Sequence, residues 1–117
     1  MYATVNLRVS GFDWDHGNRT KCQEHGVTIA QIEALFQHSP RIAPDLKHMT
    51  DEDRLIAVGK NRRMAAFVCR LHNFVAFTIR TKDGRRLIRP VSARYMHAKE
   101  IEAYEEESSP SEKRSGR

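Results

Sequence analysis

Two β-rich segments joined by a short turn constrain the fold of this chain more than any other feature. Residues 74–81 and 87–94 are rich in branched and aromatic side chains, and Lys82-Asp83-Gly84-Arg85 joins them. Asp-Gly between such segments is a strong signal for a tight hairpin, because the turn requires positive φ angles that Gly tolerates. The pattern therefore predicts an antiparallel sheet in the second half of the chain.

Helical patterns precede these strands. Asp15 is placed to cap a helix over residues 16–25, and Gly26 supplies the left-handed residue that would end it. Thr28 with Gln31 three residues later forms a capping box, and apolar residues then recur at helical spacing. The sequence thus predicts a short polar helix followed by an amphipathic one that packs on the core.

The remaining segments complete an α+β pattern. Residues 54–59 read as another strand and residues 98–107 as a closing helix, whereas residues 2–9 alternate weakly, as an edge strand or an ordered arm would. Residues 64–72 fit a strand or a helical turn equally well. The predicted fold is therefore a small antiparallel sheet with two N-terminal helices and one C-terminal helix, the helices covering one sheet face.

Length and composition indicate one soluble domain. The 117 residues, 39% hydrophobic and 30% charged, suit a single core, and residues 1–107 are predicted to form it, with 1–11 as an extra arm or edge strand and 108–117 as a disordered tail. No apolar run is long enough to span a membrane and no signal peptide is visible, so we expect a cytoplasmic protein. Cys22 and Cys69 lack CxxC spacing and are predicted to be reduced thiols.

Positive charge is concentrated in one part of the chain. Between Arg54 and Lys99 there are twelve Lys and Arg residues against one acid, Asp83, whereas the whole chain has a net charge of only +5. Cations on strands that share one sheet face would attract a phosphate-rich partner. The alternative is a solvated basic surface without a ligand.

Several short motifs follow one another from residue 12 to about residue 107. They are Phe12-Asp13-Trp14-Asp15, His25-Gly26-Val27, Glu52 with Arg54, Gly59, the segment 88–94 that ends in Ser92-Ala93-Arg94, and Glu100 with Tyr104. Their order resembles the BrnT family. The resemblance implies a RelE-like fold and a bacterial type II toxin that acts as a metal-independent ribonuclease without a cofactor. It also implies a BrnA-type antitoxin with a ribbon-helix-helix DNA-binding domain, and it leaves a homo-oligomer open.

The chain departs from that family pattern at three places. The stretch between Gly59 and Phe74 is longer than in compact members, and the arm before Phe12 is extra. His97 stands where shorter members carry a Thr N-cap, so the last helix is expected to begin less firmly.

RNA cleavage without a metal requires neutralisation of the phosphate charge. A guanidinium group binds two phosphate oxygens at once and stays charged at every relevant pH. Arg54, Arg80 and Arg94 are the candidates, with Arg94 at a strand end preferred. For each of them the alternative is a surface ion pair or a phosphate contact without catalytic weight.

The same reaction needs a group that transfers protons. His48 is preferred, because the acidic run Asp51-Glu52-Asp53 would help it cycle near neutral pH. Glu52 itself, His25 and Tyr104 are the other candidates. His25 also fits a structural role at a helix end, and the position of Tyr104 suits the core as well as a catalytic site.

Further contacts to RNA are assigned to Arg80, Lys82, Arg89 and Trp14. An indole can stack on a base, although Trp14 fits better as an anchor between the first helix and the sheet. The acidic residues suit caps and solvent better than a magnesium cage, so no metal site is predicted. The competing hypotheses are a non-catalytic nucleic-acid-binding protein with the same fold and a purely structural interaction protein.

Overall fold

A computed structural model describes residues 3–4, 9–38, 40–45, 54–60 and 72–108 of the chain. Six strands and three helices lie in these ranges. In chain order they are β1 (Ala3–Thr4), β2 (Gly11–Phe12), α1 (His16–Cys22), α2 (Ile29–Gln37), β3 (Arg41–Pro44), β4 (Leu55–Lys60), β5 (His72–Lys82), β6 (Arg85–Tyr95) and α3 (Ala98–Ser108).

The strands form one sheet in the order β1-β3-β4-β5-β6-β2. All neighbouring pairs are antiparallel except β2 with β6, which are parallel. The α+β fold with two N-terminal helices and one C-terminal helix is confirmed. The prediction that all helices cover one sheet face is wrong, because α3 is held by charged side chains on the face opposite the core. The sheet is mixed rather than purely antiparallel, because the short strand before α1 adds itself beside β6.

The predicted hairpin is confirmed. Asp83 and Gly84 form the two-residue loop between β5 and β6, with φ angles of 53° and 77°. Positive φ at both positions is the type I′ geometry that matches the twist of a hairpin. Further along, Ala76 pairs with Ser92 and Phe77 with Pro90, so β6 carries one extra residue in a β-bulge.

Helix α1 begins as predicted and ends earlier. The Asp15 carboxylate accepts a hydrogen bond from the backbone N–H of Asn18, and the side-chain oxygen of Asn18 accepts one from the backbone N–H of Asp15. These two bonds complete a capping box. The helix stops at Cys22 rather than near residue 25. Gly26 has the expected positive φ of 92°, but it closes the turn that follows the helix, so His25 does not lie at the helix end.

Helix α2 starts at the predicted capping box of Thr28 and Gln31 and packs closely on β4. A Cβ atom added at Gly59 would lie only 2.7 Å from Cδ1 of Leu35. Glycine at this strand position therefore lets the helix approach the sheet.

The hydrophobic core fills the space between the two N-terminal helices and one face of the sheet. Its buried members are Cys22, Val27, Ile32, Leu35, Ile42, Ala57, Val75, Phe77, Ile88 and Ala93. This side of the sheet is called the core face below. No helix in the described ranges is both long and apolar enough to cross a membrane.

Of the alternating segment 2–9, the structure describes β1 and Val9, which packs against the core. Strand β3 was not predicted. The undecided segment 64–72 lies outside the described residues except for His72, which begins β5. The predicted disorder of the tail falls almost entirely outside them as well, because α3 runs to Ser108.

Candidate functional site

The face of the sheet opposite the core carries the basic residues. Strand pairing aligns Arg41 with Val58, Val58 with Phe74, and Phe74 with Arg94, so one row of side chains crosses four strands. Side chains alternate between faces along a strand, and this row alternates with the core residues. Because α3 lies against it, this surface is called the α3 face.

One end of the α3 face gathers positive charge. Lys60 on β4 pairs with His72 on β5. Each lies two residues along its strand from Val58 or Phe74, so these side chains point to the same face. Arg41, Lys60, His72 and Arg94, each from a different strand, are called the basic cluster. They come from positions up to 53 residues apart in the chain. The sheet therefore assembles a cationic site that no local motif contains.

Arg94 is held by Glu100 of α3. Both terminal guanidinium nitrogens donate to the carboxylate, each at 2.8 Å, and the guanidinium carbon lies 3.9 Å from the centre of the Phe74 ring. Glu100 also accepts the His97 backbone N–H at 2.8 Å, so it satisfies a free amide at the start of α3. The Arg94 hydrogen bonds and the His97 amide, against the opposing effect of burial, lower the pKa of Glu100 to about 2.

His72 has an anionic partner on the same helix. Its Nε2 atom lies 2.9 Å from Oε2 of Glu105, and the Lys60 ammonium lies 3.6 Å from the same oxygen. The hydrogen bond to His72, with a smaller contribution from Lys60, lowers the pKa of Glu105 despite its partial burial. The Tyr104 ring meets the imidazole edge-on with 5.8 Å between ring centres, and only 15% of the His72 side chain is exposed.

Arg41 completes the attachment of α3. It donates to the backbone carbonyl of Tyr104 at 3.0 Å, and its guanidinium carbon lies 4.5 Å from the centre of the Tyr104 ring. None of residues 98–106, whose side chains the structure describes, is buried. Helix α3 is thus held on the sheet by ion pairs, a hydrogen bond and ring contacts rather than by core packing.

Arg54 lies on the α3 face but not in the basic cluster. Its side chain forms an ion pair of 3.5 Å with Asp45. It is four residues before Val58, which corresponds to about 13 Å along a strand. The structure therefore separates the two arginines that the sequence made the strongest phosphate candidates.

The hairpin side of the α3 face is partly neutralised. Asp13 is buried just after β2, and its carboxylate accepts hydrogen bonds from Lys82 at 3.0 Å and from Arg89 at 3.3 Å. Arg89 also donates to the Asp15 carboxylate at 2.7 Å. The hydrogen bond from Lys82 lowers the pKa of Asp13 although burial opposes it, and the bond to Asp15 raises the pKa of Arg89. Arg80 is exposed on the same surface.

Trp14 lies on the core side of the sheet. Its indole N–H donates to Glu33 of α2 at 2.9 Å, and its ring stacks on Phe12 with 6.5 Å between centres. The guanidinium carbon of Arg19 in α1 lies 5.9 Å from the centre of the same ring. These contacts join the two helices to the sheet, which favours the anchoring interpretation over base stacking.

Of the five predicted catalytic residues, Arg94 and Tyr104 come together at the basic cluster. His48 and Glu52 lie outside the described residues, so their roles stay predictions. Sequence reasoning missed Arg41, Lys60 and His72 and the acidic partners that α3 supplies. The alternation of side chains along a strand could have indicated them, since Lys60 and His72 occupy strand positions whose side chains point away from the core.

Other chemistry has little support in the described ranges. No three acidic, histidine or cysteine side chains there are close enough to hold a metal ion. Cys22 is fully buried, and burial raises the pKa of its thiol to about 11, which keeps it protonated and unreactive.

Comparison with known proteins agrees with this architecture. No curated protein matches the chain. A family model described as "Ribonuclease toxin, BrnT, of type II toxin-antitoxin system" matches residues 14–100, which include α1, α2 and every strand of the basic cluster. The chain therefore belongs to the BrnT family of ribonuclease toxins of type II toxin-antitoxin systems.

Proposed function

We propose that this protein is a metal-independent endoribonuclease that cleaves RNA by attack of the 2′-hydroxyl on the adjacent phosphate. The observation that carries the proposal is the basic cluster, in which four neighbouring strands bring three strong cations and one imidazole to one surface. Family membership supplies the reaction class, and the cluster supplies the groups that such a reaction needs.

The cluster suits the charge that develops during cleavage. The phosphate passes through a pentavalent state with extra negative charge, and positioned cations stabilise that state more than the starting phosphate. Glu100 already shows the geometry available at Arg94, because its two oxygens each accept a guanidinium hydrogen bond at 2.8 Å. Two phosphate oxygens fit the same fork. Arg41 and Lys60 lie three and two strands from Arg94 on the same face, and they are the other cations available to neutralise the remaining charge.

The direct test is incubation of the purified protein with total RNA in excess chelator. We expect fragments with 2′,3′-cyclic phosphate and 5′-hydroxyl ends, and no cleavage of an oligonucleotide with a 2′-deoxy residue at the cut site. Cleavage only after addition of magnesium would contradict the mechanism. Tight binding without cleavage would instead support the non-catalytic nucleic-acid-binding protein.

A matched pair of variants tests the role of Arg94. Arg94→Ala should reduce cleavage by about 100- to 1,000-fold, the usual effect of losing a transition-state donor. Glu100→Gln breaks the same ion pair but keeps the guanidinium, so it should retain most activity. If the two variants lost cleavage activity equally, the loss would come from a weaker attachment of α3 to the sheet rather than from the absence of a phosphate-binding group.

The partner follows from the same surface. We propose that a ribbon-helix-helix antitoxin in the bacterial cytoplasm covers the α3 face and excludes RNA. Acidic or polar groups on the antitoxin would meet the cations that otherwise bind phosphate. RNA and antitoxin should then compete, and a stable ternary complex of toxin, antitoxin and RNA would contradict this arrangement.

A further inference from the structure

We propose that His72 is the residue that removes the 2′-hydroxyl proton in this reaction, and that Glu105 positions it. The inference rests on the proposed ribonuclease function and names a group within its site. It differs from the sequence-based preference for His48, and the two histidines can be compared directly.

The position of His72 is unusual among the histidines in the described part of the chain. His16, His25 and His38 belong to the helices and turns on the core side and are exposed, and His97 is exposed just before α3. His72 alone among these five lies on a strand. His97 also comes near Arg94, since its Nδ1 atom lies 3.7 Å from Oε1 of Glu100, but its side chain is 69% exposed beside the helix. His72 is the described imidazole that lies within the sheet surface itself, on the strand next to that of Arg94.

The charges around His72 suit proton transfer. Lys60 on β4 and Arg94 on β6 are its cationic neighbours across the sheet, and Glu105 and Tyr104 face it from α3. The imidazole thus has a carboxylate hydrogen-bond partner on one side and cations on the neighbouring strands on the other. A general base for RNA cleavage needs both, one group to hold the ring and others to hold the phosphate.

The hydrogen bond to Glu105 determines which ring nitrogen acts. The lowered pKa of Glu105 keeps its carboxylate ionised, and an ionised carboxylate can only accept hydrogen bonds. Nε2 of His72 therefore carries the proton directed at Glu105, and Nδ1 of the neutral ring carries the lone pair. Glu105 acts through His72 as a positioning residue.

The proton balance of the step is simple. Nδ1 takes the 2′-hydroxyl proton while the bond from O2′ to phosphorus forms and the bond from phosphorus to O5′ breaks. The departing O5′ takes a proton from water, and the imidazolium later returns its proton to solvent. The products are a 2′,3′-cyclic phosphate and a 5′-hydroxyl end, so no metal, oxidant or other reactant is consumed.

The experiment measures single-turnover cleavage between pH 5 and 9 in excess chelator for wild type and for His72→Gln, His48→Gln and His38→Gln. His72→Gln should lower the rate by about 100-fold or more and abolish the rise in rate with pH on the acid side. Affinity for a 2′-deoxy analogue should be unchanged. His38→Gln, on the core side, is the control and should match wild type.

Two further variants separate catalysis from structure. Added imidazole should restore cleavage to His72→Ala, which a purely structural role would not allow. In Glu105→Gln the ring loses the carboxylate that fixes its tautomer, so the single-turnover rate should fall while affinity for the 2′-deoxy analogue stays unchanged. A parallel loss of rate and affinity in this variant would overturn the positioning role of Glu105.

Several results would overturn the assignment while leaving the ribonuclease function intact. They are a wild-type rate and pH profile for His72→Gln, a parallel loss of affinity and cleavage in that variant, or loss of the acid limb in His48→Gln alone. Failure of the wild-type protein to cleave any RNA in chelator would overturn the proposed function and this assignment together.

Discussion

Replacement of Glu100 by Gln should destabilise the protein in a way that depends on pH. The carboxylate binds both terminal nitrogens of Arg94 and the amide of His97. Gln at this position keeps the length and one oxygen acceptor but removes the charge. The variant therefore isolates the electrostatic part of the attachment of α3.

The size of the effect follows from the pKa of Glu100, which falls from its usual 4.5 to about 2. A difference of about 2.5 units corresponds to at most ~3.4 kcal/mol of folding free energy. Because the Glu100 and Arg94 side chains are 31% and 29% exposed, solvent screening reduces the expected contribution to ~1–2 kcal/mol.

The sign of the pH dependence is fixed by the direction of this shift. A carboxyl group with a lowered pKa in the folded state contributes fully above its unfolded value of 4.5, and the contribution is lost as pH falls towards about 2. The stability difference between wild type and Glu100→Gln should thus be largest near pH 7. At pH 3 it should be less than half as large, because the wild-type carboxylate has lost most of its advantage.

Urea unfolding at pH 7 and pH 3, followed by far-ultraviolet circular dichroism, measures this difference. Glu102→Gln is the matched control, since Glu102 is exposed on the same helix. It removes the same charge and should change stability little at either pH. A Glu100→Gln deficit that is constant with pH, or equal to that of the control, would refute the electrostatic explanation.

Three other outcomes can be checked with simple variants. Gly59→Ala should lower stability in urea by ~1–3 kcal/mol because its Cβ would meet Leu35 at 2.7 Å. Gly17→Ala, at an exposed position of α1, should be neutral or stabilising, and equal effects of the two variants would contradict the close packing of α2. Gly84→Ala should cost about 1 kcal/mol in thermal unfolding because residue 84 has a φ of 77°, and an unchanged midpoint would argue against the I′ turn. RNA affinity should fall with salt with a log-log slope of roughly −3 to −4 if four to six cations of the α3 face bind phosphates, and a flat dependence would assign the charge another role.

Local chemistry made part of the fold predictable. The Asp83-Gly84 turn and the capping box of Thr28 and Gln31 each depend on residues within four positions of one another, and the structure confirms both. Strand β3 was missed because its four residues, Arg41–Pro44, include a proline and form a strand by pairing with β4. Such pairing is a tertiary effect that intrinsic propensity does not record.

The site was harder to predict than the fold. Arg94 was chosen from its motif and its position near a strand end, and it does lie in the basic cluster. His72 was not, because it stood in a segment whose secondary structure the pattern left open, and its partner Glu105 is 33 residues further along the chain. Charge segregation correctly indicated a cationic sheet face, but only the register of the strands shows which cations are neighbours.

The β-bulge in β6 decides which side chains the two ends of that strand present. Arg89 and Arg94 are separated by an odd number of positions, so regular alternation would put them on opposite sides of the sheet. Val91, the extra residue, brings both to the α3 face and at the same time keeps Ile88 and Ala93 in the core. The bulge therefore acts as a phase correction in the strand. Deletion of Val91 alone would make the side chains of one half of β6 point to the opposite face of the sheet. A relative without the bulge would have to space its corresponding arginines by an even number of residues.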